Sequence, residues 1–175
     1  PVASNLNWSA GTTIPNLVTV KVGSNGKVSL FQFGPGGAQV VVDVAGFFLG
    51  GTPKEVGTFV ALSPVRVLDT RTSSSIGAGR TRSLPLFTQG GIPASGVSSV
   101  VMNTTVTETH APGFLTVFPG TSPLPGTSDL NWSGPGVTIP KLVTVQLGTD
   151  GSVKIYNASA GTTQVVADVA GYYIG

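Results

Sequence analysis

The chain contains no cysteine, so neither a disulfide framework nor a thiolate metal site holds it together. It is also short of charge. Only 9% of its 175 residues are Asp, Glu, Lys or Arg, against roughly 25% in an ordinary soluble domain. Nine basic and seven acidic residues leave a formal net charge of +2, too weak and too scattered for the clustered basic face that nucleic acid requires. The single histidine, His110, stands in a Glu108–Gly113 turn without a Gly-x-Ser-x-Gly elbow, so a Ser–His–carboxylate site has little to be built from. The only glutamates, Glu55 and Glu108, sit in loops, and no Asp-x-Asp-x-Asp-Gly calcium loop is present. A paired-carboxylate glycosidase would have to use Asp43, Asp69 or Asp168, which read as structural. The sequence therefore points to no enzyme, no cofactor and no metal. No apolar run approaches the 18 residues of a membrane span, no segment carries a 3.6-residue apolar stripe, and no signal peptide is visible, so an exported form would already have lost it.

What is present is 40% apolar residues, 25 glycines and 13 prolines. Such a chain can bury a core, unlike disordered chains, which are poor in apolar residues. Its wetted surface must be made of Ser, Thr, Asn, Gln and Gly, which fits a secreted or cell-surface protein.

One stretch occurs twice. Residues 14–50 return without a gap as residues 139–175, an offset of 125, and Ser4-Asn5-Leu6-Asn7-Trp8-Ser9 matches Ser128-Asp129-Leu130-Asn131-Trp132-Ser133. A period this long indicates tandem modules. In each copy apolar residues alternate with polar ones (Val18, Val20, Val22; Val143, Val145, Leu147), which predicts a strand with one core face. Ser24-Asn25-Gly26 and Thr149-Asp150-Gly151 follow, and Asn-Gly or Asp-Gly between alternating runs predicts a hairpin. The return strands are Lys27–Phe33 and Ser152–Asn157. Next come the nearly continuous apolar runs Gln39–Gly46 and Gln164–Gly171, which predict strands covered on both faces. Each run contains an aspartate, Asp43 or Asp168. One reading makes these metal or sugar ligands. The other makes them structural carboxylates accepting backbone N–H bonds at a strand end, and the rule that buried charges are paired favours it.

Between the copies, residues 51–56 read as a linker. Thr58–Leu62 and Val65–Asp69 read as short strands split by Ser63-Pro64. Thr81–Phe87 reads as a strand whose Pro85 suits a sheet edge. Val97–Thr107 and Phe114–Phe118 read as a second hairpin through His110–Gly113. The predicted organisation is a back section of one module (1–50), a linker (51–56) and one complete module (57–175), with front section 57–120 and back section 128–175. The fold class is all-β, with sandwich-like modules of antiparallel hairpins and no substantial helix.

Few side chains are candidates for binding. Trp8 and Trp132 occupy matched Asn-Trp-Ser positions. With Tyr156, Tyr172 and Tyr173 they offer sugar-stacking faces if exposed, or packing if buried, the usual fate of tryptophan. Asp69 and Arg71, two apart on one strand face with Arg66 nearby, suit an anionic or sugar group, or more simply tie the following loop. Asn7, Asn103, Asn131 and Asn157 each begin an Asn-x-Ser/Thr glycosylation triplet, in a chain so rich in Ser and Thr that chance accounts for them.

Pro64-Val65-Arg66-Val67-Leu68-Asp69-Thr70-Arg71, then Met102-Asn103-Thr104-Thr105-Val106-Thr107, Gly113-Phe114-Leu115-Thr116-Val117-Phe118-Pro119, Ser128-Asp129-Leu130-Asn131 and Asp168-Val169-Ala170-Gly171-Tyr172-Tyr173 follow in that order. As a set they resemble a secreted tandem repeat module common in actinobacteria and other soil and thermophilic bacteria. Residues 57–175 match one whole module, and residues 1–50 match the back part of another. The resemblance implies an exported all-β module and offers no catalytic residues. The expected function is that of a non-catalytic extracellular structural repeat. Its unpaired N-terminal section would be completed by β-sheet complementation from other copies of the chain, head to tail, or from adjacent repeats. The alternative is a carbohydrate- or cell-wall-binding module, with polysaccharide as partner. Neither nucleic acid nor a membrane span is expected.

Overall fold

The computed structural model describes residues 4–12, 14, 16–42, 44, 47–48 and 55–175. It is all-β, as expected from the period-two patterning. Eight strands form two antiparallel four-stranded sheets: β1 (Phe59–Asp69), β2 (Thr81–Pro85), β3 (Val97–Thr107), β4 (Gly113–Pro119), β5 (Leu130–Trp132), β6 (Ile139–Gln146), β7 (Ser152–Asn157) and β8 (Gln164–Ile174). Sheet 1 has the order β1-β8-β3-β6, and sheet 2 the order β2-β7-β4-β5. One 3₁₀ turn, Thr70–Thr72, follows β1.

The core lies between the sheets. Val100, Met102 and Val106 of β3, and Val165, Ala167 and Val169 of β8, are sealed against Leu115 of β4 and Val153 and Ile155 of β7. β8 is buried on both faces along most of its length, as its unbroken apolar run predicts. Of the two proline expectations one holds: Pro85 ends the edge strand β2. The other is corrected, because Ser63-Pro64 sits in a register break of the edge strand β1 and makes one bulged strand where two short ones were expected.

Two expected hairpins do not form. The Asp150-Gly151 turn closes locally, with Gly151 N–H donating to the Gly148 carbonyl at 2.8 Å. The strands it joins then diverge, β6 into sheet 1 and β7 into sheet 2. β3 and β4 likewise part company after the His110–Gly113 turn. Both turns carry the chain across the core. Alternation fixes which side of a strand faces inward, and it does so equally for a hairpin and for an arch between sheets.

The resulting topology interleaves the two halves of the module. β8 lies between β1 and β3, β7 lies between β2 and β4, β6 pairs with β3, and β5 pairs with β4. Every back strand therefore has only front strands for neighbours. The two ends of the module meet at the same place: Gly57 N–H donates to the Ile174 carbonyl at 2.8 Å, and Ile174 N–H donates to the Thr58 carbonyl at 3.0 Å.

The first copy behaves differently. Among its described residues no strand forms, contrary to the strands expected from the alternation over 18–22, the return strand 27–33 and the apolar run 39–46, of which residues 43, 45 and 46 lie outside the described residues. Its turn does form. Gly26 N–H donates to the Gly23 carbonyl at 2.9 Å, Gly23 N–H to the Lys27 carbonyl at 2.9 Å, and Lys27 N–H to Asn25 Oδ1 at 3.2 Å. The second copy makes the same set at Gly148–Ser152, with Ser152 N–H donating to Asp150 Oδ1 at 3.1 Å. Local chemistry is thus shared, and only the cross-strand ladder is missing. A strand has no intrinsic partner for its N–H and C=O groups, and a back section supplies none to itself.

Candidate functional site

Sheet 1 carries a charged knot on its outer face. Register places Arg66 of β1 opposite Asp168 of β8. Arg66 Nε donates to Asp168 Oδ1 at 2.9 Å and Nη2 to Oδ2 at 3.3 Å, a forked pair. Arg66 Nη1 also reaches Asp69 Oδ2 at 3.4 Å. Arg71 grips Asp69 from the other side, Nε to Oδ1 at 2.9 Å and Nη2 to Oδ2 at 2.7 Å. Asp69 caps the 3₁₀ turn by accepting from Arg71 N–H at 3.1 Å. The hydrogen bond from Arg71 holds the Asp69 carboxyl below its ordinary value, and the same pairing raises the Arg71 guanidinium.

Asp168 is thus structural, but not in the way expected. It sits mid-strand and takes a guanidinium, where a strand-end carboxylate accepting backbone N–H bonds was anticipated. A buried carboxylate without that cation would be very costly. Asp43, its match in the first copy, lies outside the described residues. Asp69 and Arg71 do tie the loop. Thr70, next to Asp69 and fully buried, carries no mark in the sequence; its hydroxyl donates to Gln164 Oε1 at 2.6 Å and accepts from Val165 N–H at 2.7 Å. Beside the knot, Arg66, Arg71, Thr105, Thr107 and Ser4 border a cleft of about 70 Å³. That is room for roughly two waters, against ~300–1,000 Å³ for a small-molecule pocket.

The aromatic candidates separate. Trp132 is 5% exposed, and its indole N–H donates to the Ala111 carbonyl at 2.6 Å, so it is a packing residue with no free face for a sugar. Its counterpart Trp8 is 42% exposed. Tyr156 and Tyr172 are half-buried, the former on the outer side of β7 and the latter packed against the core. The structure does not bring these four together on one platform. His110 stays exposed, its Nδ1 near the carbonyl and hydroxyl of Thr162 at 3.2 and 3.1 Å. Of the glycosylation triplets, Asn103 and Asn157 are buried and closed to a transferase in the folded module. Asn157 instead ties three carbonyls, those of Ile76, Gly77 and Gly161, at 3.0, 3.1 and 2.9 Å. Asn131 is exposed and Asn7 half-exposed.

The largest unsatisfied feature is the first copy itself. Val143, Val145, Val153, Ile155, Val165 and Val169 are all buried, and each matched residue in the first copy is apolar and exposed: Val18, Val20, Val28, Leu30, Val40 and Val44. Fully burying one such side chain is worth ~1.5–3 kcal/mol, so this surface holds a large unspent driving force. Among the described residues the first copy meets the module where the Ser4 carbonyl accepts from Asn103 Nδ2 at 2.6 Å and where Phe48 packs on Phe59 with ring centroids 4.5 Å apart. No family model matches the chain, and no curated protein does.

Proposed function

We propose that this chain is a non-catalytic structural repeat of an extracellular fibre or surface layer, joined to its neighbour through β-sheet completion of residues 1–50. The observation that carries this reading is the matched set of apolar residues, sealed in one copy and bare in the other. A wetted surface that must be made of Ser, Thr, Asn, Gln and Gly in a weakly charged chain, together with the resemblance to secreted tandem modules, supports the extracellular setting. Association through an unfinished sheet needs main-chain pairing plus alternate apolar anchors, and the first copy offers both. The polysaccharide-binding alternative needs exposed tryptophans, and of the matched pair Trp8 is exposed and Trp132 is buried.

Size-exclusion chromatography and negative-stain microscopy over a concentration series test the proposal. Association that disappears in the Val20→Asp/Leu30→Asp variant supports it. A strict monomer at every concentration refutes it.

A further inference from the structure

The interleaved topology specifies what the first copy must receive. An exposed sheet edge can be extended by one added strand, but the first copy has no sheet to extend. In the folded module β7 and β8 each need a front strand on both sides, so residues 27–33 and 39–48 need the same. A single strand laid against them leaves each with an open side.

The front section Phe59–Pro119 is already taken up by the second copy: β3 and β4 are flanked on both sides, and β1 and β2 on one. The first copy is also the poorer fit to this front section. Ala167 is sealed between Leu68 and Thr104 in register, and the first copy has Val42 there. Asn157 bonds three carbonyls from a fully buried position, and the first copy has the longer Gln32.

We infer that the partner of residues 5–48 is a four-strand front section of this same repeat, other than Phe59–Pro119, taken up by intercalation and not by edge addition. The inference rests on the completion reading above and names its occupant. That occupant resembles Phe59–Pro119 in strand order, with more room opposite Val42 and Gln32. The local turn at Gly23–Lys27, already formed with the bonds of its folded twin, is ready for it.

The test places a duplicate of residues 57–127 ahead of residue 1 of the full chain and follows amide hydrogen exchange by residue. A second variant adds Val42→Ala and Gln32→Asn, which adapt the first copy to this particular front section. Residues 152–157 and 164–174 report within the same molecule that the native module is folded. Protection of residues 27–33 and 39–48 rising at least tenfold, more in the adapted chain, together with loss of self-association, is expected. If those residues exchange as fast in the adapted chain as in the parent, the inference is overturned. Should the parent still associate through Val20 and Leu30 in that case, the completion reading survives with a different occupant.

Discussion

Ile155 and Leu30 hold the same position in the two copies, yet Ile155 is 0% exposed and Leu30 is 71% exposed. The pair isolates the contribution of sheet partners from that of local sequence. Ile155→Ala should lower the unfolding free energy by ~2–5 kcal/mol, the usual cost of emptying a core site. Leu30→Ala should leave the denaturation midpoint of the dilute chain within ~0.5 kcal/mol of wild type. Urea denaturation followed by Trp132 fluorescence measures both.

The Arg66–Asp168 pair joins β1 to β8 through residues 102 apart in sequence. Arg66→Ala strands a buried carboxylate. The expected loss lies toward the lower end of ~3–5 kcal/mol, because Arg66 keeps 27% of its side chain in water. Replacing both partners, Arg66→Met with Asp168→Leu, should recover most of it. A double variant as unstable as the single one would show that the loss comes from the Arg66–Asp69 contact and not from the stranded Asp168.

Gly151 and Gly26 are matched turn residues with φ of +71° and +74°. A Cβ on Gly151 would run into the Phe87 ring, while one on Gly26 meets nothing within 4 Å. Gly151→Ala should therefore cost the ~1–2 kcal/mol of left-handed strain plus ~1–3 kcal/mol of overpacking. Gly26→Ala should not move the melting temperature of the module. Calorimetry on the two variants distinguishes the sites.

The Asp69–Arg71 pair predicts a pH dependence. The folded carboxyl titrates below its ordinary value, so its contribution is fully present above the unfolded value near 3.8 and fades as pH falls through the lower folded value. Asp69→Asn keeps a capping side chain and removes the charge. The stability gap between wild type and this variant should be constant at neutral pH and should close under acid. A gap that persists unchanged at a pH well below the carboxylate range would place the contribution elsewhere.

Much of the strand content could be read from residues. Ser152–Asn157 is a strand with the expected ends, the apolar run of β8 is covered on both faces, and Pro85 marks an edge. What could not be read was the choice of neighbours. Asp150-Gly151 encodes a turn, but whether the flanking strands pair or part depends on strands more than 30 residues away. The Arg66–Asp168 pair was hidden for the same reason, since local spacing shows Arg66 beside Asp69 and nothing of β8. The first copy makes the point most directly: its alternation matches that of the second, and without front strands it forms turns and no ladder.

Amide hydrogen exchange on the dilute, monomeric chain tests the central claim, that back sections of matched pattern fold only where front strands flank them. The account predicts strong protection of residues 152–157 and 164–174 and near-random-coil exchange of residues 27–33 and 39–48. Comparable protection of the two copies in the monomer would contradict it.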